Sequence, residues 1–245
     1  MSRISKVFEN NKVFISFLTA GDPTLEKTEE FVLALAEAGS DIIIISIPFS
    51  DSASEGELIE RSNMRALNSG ARTDKIFGMI KKIRLKNQIP LIFSTYMNPV
   101  FVYGIDKFLQ KCSACGIDAL IIPDLPFEER SEVADISRKY GIYLITIITP
   151  SSKERIQYLA KDAAGFIHLV LPNATETEAG KDINSIITSI RNVSKTPIAA
   201  GLDIKDEEAK KVVDGVITGS AIVKLIEQYG ENAATHLFEY VKNAK

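Results

Sequence analysis

The chain has 245 residues, of which 45% are hydrophobic and 25% are charged, with a formal net charge of −3. This composition is ordinary for a globular protein with a sizeable core. The slight negative charge argues against a nucleic-acid partner, because phosphate backbones are usually bound by a basic surface. The segment Met1–Lys6 lacks the apolar core of a secretory signal, and the longest apolar runs are too short to cross a bilayer. We therefore expect a soluble cytoplasmic protein.

Eight short runs rich in β-branched residues have the pattern of strands. They are Val13–Leu18, Ile42–Ile47, Leu91–Ser94, Ala119–Ile122, Tyr143–Ile148, Phe166–Val170, Ile198–Ala200 and Gly215–Thr218. Because these runs are almost continuously apolar, they predict parallel strands that are covered on both faces.

Amphipathic stretches with helical spacing alternate with the strands. They are Leu25–Ala38, Thr73–Leu85, Glu128–Tyr140, Ser152–Leu159, Lys181–Arg191, Glu207–Val213 and Ser220–Lys242. A further short amphipathic helix, Ile4–Phe8, is predicted to close the bottom of the fold.

Eight strand-then-helix units without an intervening linker predict a single (β/α)8 barrel, or TIM barrel, over residues 1–245. The length agrees, since such barrels typically have about 250 residues. An open doubly wound sheet is the alternative, but no Gly-x-Gly-x-x-Gly motif follows the first strand. In a barrel the chemistry lies in the loops after the C-terminal ends of the strands, which here include residues 48–57 and 95–103.

The two cysteines, Cys112 and Cys115, are three residues apart in a helical pattern. A redox or metal role would require a thioredoxin-like context or two further ligands. The two histidines, His168 and His236, are distant in sequence and form no recognisable ligand set. We therefore predict no metal site, and helical cysteines of which at least one is packed inside.

Several predicted loops carry motifs that occur together in one known family. They are Phe17–Pro23 (FLTAGDP), Ile47–Asp51 (IPFSD), Arg65–Leu67 (RAL), Tyr96–Pro99 (YMNP), Pro123–Pro126 (PDLP) and Gly219–Lys224 (GSAIVK). In this order they resemble the α subunit of tryptophan synthase, and the resemblance covers essentially the whole chain.

The resemblance implies a retro-aldol cleavage of indole-3-glycerol phosphate to indole and glyceraldehyde 3-phosphate, with no cofactor in this chain. It also implies a partner, a pyridoxal-phosphate-bearing β subunit that joins indole to serine in an αββα complex. The implied chemistry needs one carboxylate to move protons, a second to bind the indole N–H, and backbone N–H groups to hold the phosphate.

The catalytic carboxylate is where this sequence departs from the family. The family glutamate stands four residues before the proline of the Ile47–Asp51 motif, and here that position is Ile44. Isoleucine cannot exchange a proton, and loss of a general acid–base group commonly removes about 10²–10⁴ in rate. The second carboxylate, an aspartate in the family, corresponds to Glu55, which either binds the indole N–H, replaces the missing base or is a solvent-facing loop residue.

The implied phosphate site is altered as well. Of the positions that would hold substrate or phosphate, Gly201, Gly219, Ser220 and Tyr96 remain. Asp203 replaces a glycine, and its charge would repel a phosphate dianion if the side chain pointed inward. Residues 172–180 correspond to the loop that closes over substrate, but they lack its adjacent glycines.

The positions that the resemblance assigns to the β-subunit interface are retained, among them Asp51, Asn98, Pro99 and Pro126. The first hypothesis is therefore a catalytically silent subunit that docks on a β-type partner and activates it. The second is a working lyase that uses Glu55. The third is a barrel redirected to another small phosphorylated or anionic substrate.

Overall fold

The computed structural model describes residues 2–9, 12–52, 55–171, 179–201 and 207–245. A single sheet of parallel strands forms the centre of the molecule. Its strands are β1 (Val13–Thr19), β2 (Ile42–Ser46), β3 (Leu91–Ser94), β4 (Ala119–Ile121), β5 (Tyr143–Leu144), β6 (Thr146–Ile148), β7 (Ile167–Leu169), β8 (Ile198–Gly201) and β9 (Gly215–Thr218). They lie in the order β5-β4-β3-β2-β1-β9-β8-β7-β6.

The fifth predicted strand, Tyr143–Ile148, is divided in the structure into β5 and β6. The β5 segment pairs with β4, whereas β6 pairs with β7, and Ile145 lies between the two segments. The two ends of the sheet are therefore consecutive parts of one chain segment, and the sheet closes into a barrel with eight strand positions. The prediction of a TIM barrel is confirmed, although the strand on this side is bent at Ile145.

Helices surround the barrel. They are α1 (Arg3–Val7), α2 (Leu25–Glu37), α3 (Glu57–Asn68), α4 (Thr73–Lys86), α5 (Met97–Tyr103), α6 (Ile105–Cys115), α7 (Ser131–Lys139), α8 (Ile156–Lys161), α9 (Ala179–Arg191), α10 (Glu207–Val212), α11 (Ser220–Tyr229) and α12 (Ala233–Ala244). Short 3-10 turns cover Phe127–Glu129, Pro150–Arg155 and Gly230–Asn232.

Three helix predictions were wrong in extent. The predicted helix Ser220–Lys242 is two helices, because Gly230 adopts a positive φ of 54° and ends α11. The predicted helices Glu128–Tyr140 and Ser152–Leu159 each begin with a 3-10 turn, so that α7 and α8 start later. Residues 57–68 and 97–103 were not predicted to be helical, yet they form α3 and α5.

Both cysteines are buried residues of α6, which confirms the structural interpretation. Burial raises the pKa of the Cys112 thiol. The helix ends at Gly116, whose φ of 81° belongs to the left-handed region that favours glycine.

Inward-facing side chains fill the barrel in layers, each contributed by alternate strands. Following the strand register round the barrel gives the bottom layer as Ile42, Ala119, Phe166 and Gly215, and the next as Ile15, Ile92, Ile145 and Ala199. The apolar members of both layers belong to one buried cluster, which is separate from the clusters between sheet and helices.

Helix α1 closes the bottom of the barrel, as the sequence predicts. Ile4 is fully buried in the same interior cluster, and the ring of Phe8 lies 5.8 Å from that of Phe166. Ser2 caps the helix by accepting a hydrogen bond from the backbone N–H of Ser5 at 3.1 Å.

We expect Ile4→Ala to lower the free energy of unfolding by about 2–5 kcal/mol, because it leaves a cavity at the sealed end of the barrel. Urea denaturation of both proteins measures this change. Leu85→Ala, at a position that is 88% exposed, is the control and should change it by less than about 0.5 kcal/mol. Equal effects of the two substitutions would show that α1 is not a plug.

Candidate functional site

Ile44 lies inside the barrel, near its C-terminal end. It belongs to the interior cluster, whereas its neighbours Ile43 and Ile45 face the surrounding helices. Its side chain is 1% exposed, and its register partners are Phe17 on β1 and Ile92 on β3. The position where the resemblance implies a carboxylate therefore carries a packed apolar side chain, as expected from the sequence.

His168 lies across the barrel from Ile44 in the same layer. The register leads from His168 to Ala199, Gly215 and Val13 on three successive strands. Continued to β2, this line reaches Ser40. Each step round an eight-stranded barrel moves about one residue along its axis, so the position on β2 level with His168 is about four residues from Ser40. Moving four residues towards the C-terminus from Ser40 reaches Ile44 on β2. Moving four residues the other way would reach α2, so the position level with His168 is Ile44.

Applied to the other strands, the same register places Ile121 and Ile217 in the layer of Ile44 and His168. The layer above it, at the mouth of the barrel, has Phe17, Ser94, Ile147 and Gly201. These two layers form the floor and lower wall of the candidate site. His168 is the only titratable side chain in these two layers.

The imidazole of His168 has an unsatisfied nitrogen. Its Nδ1 is shielded from solvent and has no hydrogen-bond partner in the part of the chain that the structure describes. Because burial disfavours the charged form, the pKa of His168 is lowered from 6.5 to about 4. The imidazole is therefore neutral at pH 7, and it brings a hydrogen-bonding group but no charge to an apolar layer.

Glu55 is partly buried just before α3. It accepts a hydrogen bond from the side-chain amide of Asn63 at 2.9 Å. Burial raises its pKa, the bond from Asn63 opposes that rise, and the nearby charge of Glu60 adds to it. Glu55 is therefore not an ordinary solvent-facing glutamate, but the contact that holds it is on α3 and not in the interior layers.

A bidentate ion pair joins the loop after β1 to α3. Arg65 donates from Nε and from one terminal nitrogen to the two carboxylate oxygens of Asp22, each at 2.8 Å. Asp22 is 1% exposed, and Arg65 also donates to Glu227 of α11 at 2.7 Å. The first and third sequence motifs, which contain Asp22 and Arg65, thus meet in space and position α3 beside the barrel mouth.

The predicted phosphate-binding residues come from two neighbouring strands. Gly219 and Ser220 start α11, and a Cβ on Gly219 would lie 3.2 Å from the ring of Phe17. This close approach is a structural reason for glycine at that position. Gly201 ends β8 and has free space around its α-carbon. The predictions for Asp203 and for residues 172–178 lie outside the described residues.

Two contacts link the loops that follow β2, β3 and β4. The rings of Phe49 and Tyr96 are 5.5 Å apart, and the carboxylate of Asp124 accepts a hydrogen bond from the backbone N–H of Met97 at 2.8 Å. These loops carry the residues that the sequence predicts to contact a partner. They contact one another in the isolated chain.

The predicted interface residues lie on this C-terminal face. Asp51, Asn98 and Pro126 are exposed and Pro99 is partly exposed. Beside them on α5, Phe101 is 69% exposed and Val102 is 78% exposed. Adjacent large apolar side chains in water are typical of a protein–protein interface.

The described residues contain no helix long and apolar enough to cross a membrane. They also contain no cluster of three or more His, Cys, Asp or Glu side chains arranged to hold a metal ion.

Taken together, the fold and site define a barrel of the class that carries its functional loops at the C-terminal ends of parallel strands. The family model of the tryptophan synthase alpha chain matches residues 4–245. The chain therefore belongs to the tryptophan synthase α-chain family. In this family the α chain carries no cofactor, and pyridoxal phosphate belongs to the β subunit.

Three similar proteins illustrate the match. The tryptophan synthase alpha chain of Thermoanaerobacter sp. (strain X514) is 44% identical over 252 residues, which cover 98% of this chain and 95% of the relative. A mutant tryptophan synthase α-subunit from Pyrococcus furiosus has a TM-score of 0.88 and 31% identity, over 96% of this chain and 98% of that one. A chain of the tryptophan synthase complex from the same organism has a TM-score of 0.86 and 29% identity, with the same coverage.

Three features of the site did not follow from the sequence. His168 gave no local signal, because its place opposite Ile44 depends on register and strand tilt. The Asp22–Arg65 pair joins two motifs that are separated by a helix and a strand. The exposed pair Phe101 and Val102 lies in a segment that was interpreted as a loop.

We expect Arg65→Met to lower the free energy of unfolding by about 3–5 kcal/mol, because it leaves the buried carboxylate of Asp22 without its partner. Asp22→Asn should cost less, because Arg65 is partly exposed and stays paired with Glu227. The double variant should lose much less than the sum of the two. Chemical denaturation of all four proteins gives the coupling energy, and additive losses would contradict the role assigned to the pair.

We expect His168 to make the protein less stable in acid. Below pH 6.5 the unfolded chain protonates this histidine, whereas the folded chain stays neutral until about pH 4. The free energy of unfolding therefore falls as the pH is lowered through this window, by roughly 2–3 kcal/mol from this group. His168→Phe should remove that contribution, and denaturation at pH 8 and pH 4.5 measures it. An unchanged difference between the two pH values would contradict the prediction.

Proposed function

We propose that this chain docks on a pyridoxal-phosphate-dependent β-type subunit of tryptophan synthase and activates it, with little or no indole-3-glycerol-phosphate lyase activity of its own. The observation that carries the proposal is Ile44, an apolar side chain in the interior layer where the family resemblance implies a carboxylate. Among the described residues, neither of the two layers at the mouth contains an acidic side chain.

The missing carboxylate is not replaced by the groups nearby. His168 is neutral at pH 7 because burial lowers its pKa to about 4, so it is a poor general acid and only a weak base at that pH. Glu55 is bound to Asn63 of α3. A positioned acid–base group commonly contributes about 10²–10⁴ in rate, which is the loss that we expect for cleavage of the carbon–carbon bond.

Docking is supported by two features of the C-terminal face: an exposed apolar patch and loops that are held in place by a hydrogen bond. Phe101 and Val102 offer an apolar patch beside Asn98 and Pro99, and the surrounding loops are held together by the Met97–Asp124 hydrogen bond. A preorganised surface loses less conformational entropy on association. The similar chain from Pyrococcus furiosus is part of a tryptophan synthase complex, and by analogy we propose an αββα assembly here.

The alternative is an active α subunit in which Glu55 acts as the acid–base group. The observation in its favour is that burial raises the pKa of Glu55 above the usual value for a carboxyl group, and catalytic carboxyls are commonly shifted in this direction. For this to operate, the side chain would have to leave Asn63 and reach the substrate.

Activation is tested by adding the purified chain to its β-type partner and measuring tryptophan formation from indole and serine. We expect the rate to rise with chain concentration and then to saturate. The double substitution of Phe101 and Val102 by serine should shift saturation to higher concentrations by about tenfold or more, because apolar anchors dominate such interfaces. Leu85→Ser, at an exposed leucine on α4, is the matched control and should behave as wild type. No rise in rate at saturating chain would defeat the proposal.

The lyase activity is tested by indole release from indole-3-glycerol phosphate with the partner present. We expect little release by the wild type and a gain of about 10²-fold or more in Ile44→Glu. Ile44→Gln is the matched control, because it has a similar shape but cannot exchange a proton. If the wild type releases indole efficiently and Glu55→Gln abolishes the release, the alternative is correct.

A further inference from the structure

A cavity of about 210 Å³ lies beneath the loops that follow β4 and β6. Its lining includes apolar side chains, two arginines and a hydroxyl: Leu125, Phe127, Arg130, Leu144, Thr149 and Arg155. Leu125 and the neighbouring Pro126, which also lines the cavity, belong to the segment that the family resemblance assigns to the partner interface, whereas the resemblance assigns no role to Phe127, Arg130 or Arg155.

Arg130 is the unusual member of this lining. Its guanidinium donates to the hydroxyl of Thr146 at 2.7 Å and to the carbonyl of Leu144. It also lies 5.6 Å from the centre of the Phe127 ring. These contacts leave part of its donor capacity unused, since a guanidinium has five N–H groups.

No acidic side chain of the described residues balances the charge of Arg130. Burial alone lowers its pKa, without any opposing contribution from a carboxylate. The second arginine of the cavity, Arg155, is paired with Glu128. A partly buried cation without a counter-charge is costly for a protein, and the cavity as a whole carries one excess positive charge.

The cavity lies beside the point where the strand pairing of the barrel changes. The regular pairing between β4 and β5 ends with Leu120 and Leu144, the N–H of Ile145 still donates to the carbonyl of Leu120 at 2.8 Å, and β6 pairs with β7. Arg130, at the start of α7, donates to the carbonyl of Leu144 at this break. The guanidinium is thereby fixed at the wall of the cavity.

We propose that this cavity is a binding site for a small organic monocarboxylate, held by Arg130. The carboxylate supplies the counter-charge that the described residues do not, and its apolar body packs on the leucines and Phe127. A single excess positive charge, with Glu128 close by, favours a monoanion over a phosphate dianion. With a volume of about 210 Å³, the cavity has room for a compact aromatic or branched acid.

Isothermal titration calorimetry on the isolated chain tests the site, and the result does not depend on whether the chain docks on a partner. The probes are benzoate and benzamide, which have the same shape but differ in charge, at matched ionic strength. We expect benzoate to bind with one site per chain and benzamide to bind about tenfold more weakly or worse. Arg130→Gln should weaken benzoate binding by about tenfold or more. Arg138→Gln, at an exposed arginine of the same helix that pairs with Asp135, should not.

Backbone amide shifts of the wild-type chain give a second measurement that needs no variant. On addition of benzoate we expect changes confined to residues 122–130 and 144–159. The site is ruled out if benzoate does not bind, if benzamide binds equally well, or if the changes lie elsewhere. Unaltered benzoate binding by a folded Arg130→Gln protein would also overturn it. Where that variant does not fold, the comparison of the two probes and the shift map decide.

Discussion

The ion pair between Asp22 and Arg65 is the interaction on which the arrangement of the C-terminal face depends. Asp22 belongs to the loop after β1, and Arg65 belongs to α3, which carries Asn63 and through it orients Glu55. Arg65 also contacts Glu227 of α11, the helix that begins at Gly219 and Ser220. A pair with two parallel hydrogen bonds is directional as well as strong, so one contact sets the relative position of the predicted carboxylate and phosphate loops.

The barrel interior explains how the family fold is kept while the residue at the position of the implied carboxylate differs. Ile44 and His168 face each other in one layer of four side chains, above two layers that are apolar and sealed by α1. Both residues point away from the surrounding helices, so their identity has little influence on the packing of those helices on the sheet. The proposed loss of proton transfer and the proposed docking face therefore concern different parts of the molecule.

Most of the fold could be predicted from the sequence, because buried parallel strands are continuous apolar runs and the motif order is distinctive. The break at Ile145 could not be predicted from the sequence, because it depends on how neighbouring strands pair and not on the residues of the segment alone. The helix α3 was missed because its buried residues include Ser62 and Asn63, which lack the apolar signal of an amphipathic helix. For the site, Ile44 and Glu55 could be identified by motif position. The environment of His168 depends on strand tilt, and the contacts of Arg130 depend on the break between β5 and β6.

The alternation of side chains along β2 has an evolutionary consequence. Residues 43 and 45 pack in the core between the sheet and the outer helices, while residue 44 packs in the core inside the barrel. Because residue 44 and its two neighbours pack in different cores, mutations at residue 44 and at residues 43 or 45 should affect folding almost independently of one another. Proton transfer at this position could therefore be lost or regained through very few nucleotide changes, while the fold of the barrel stays the same.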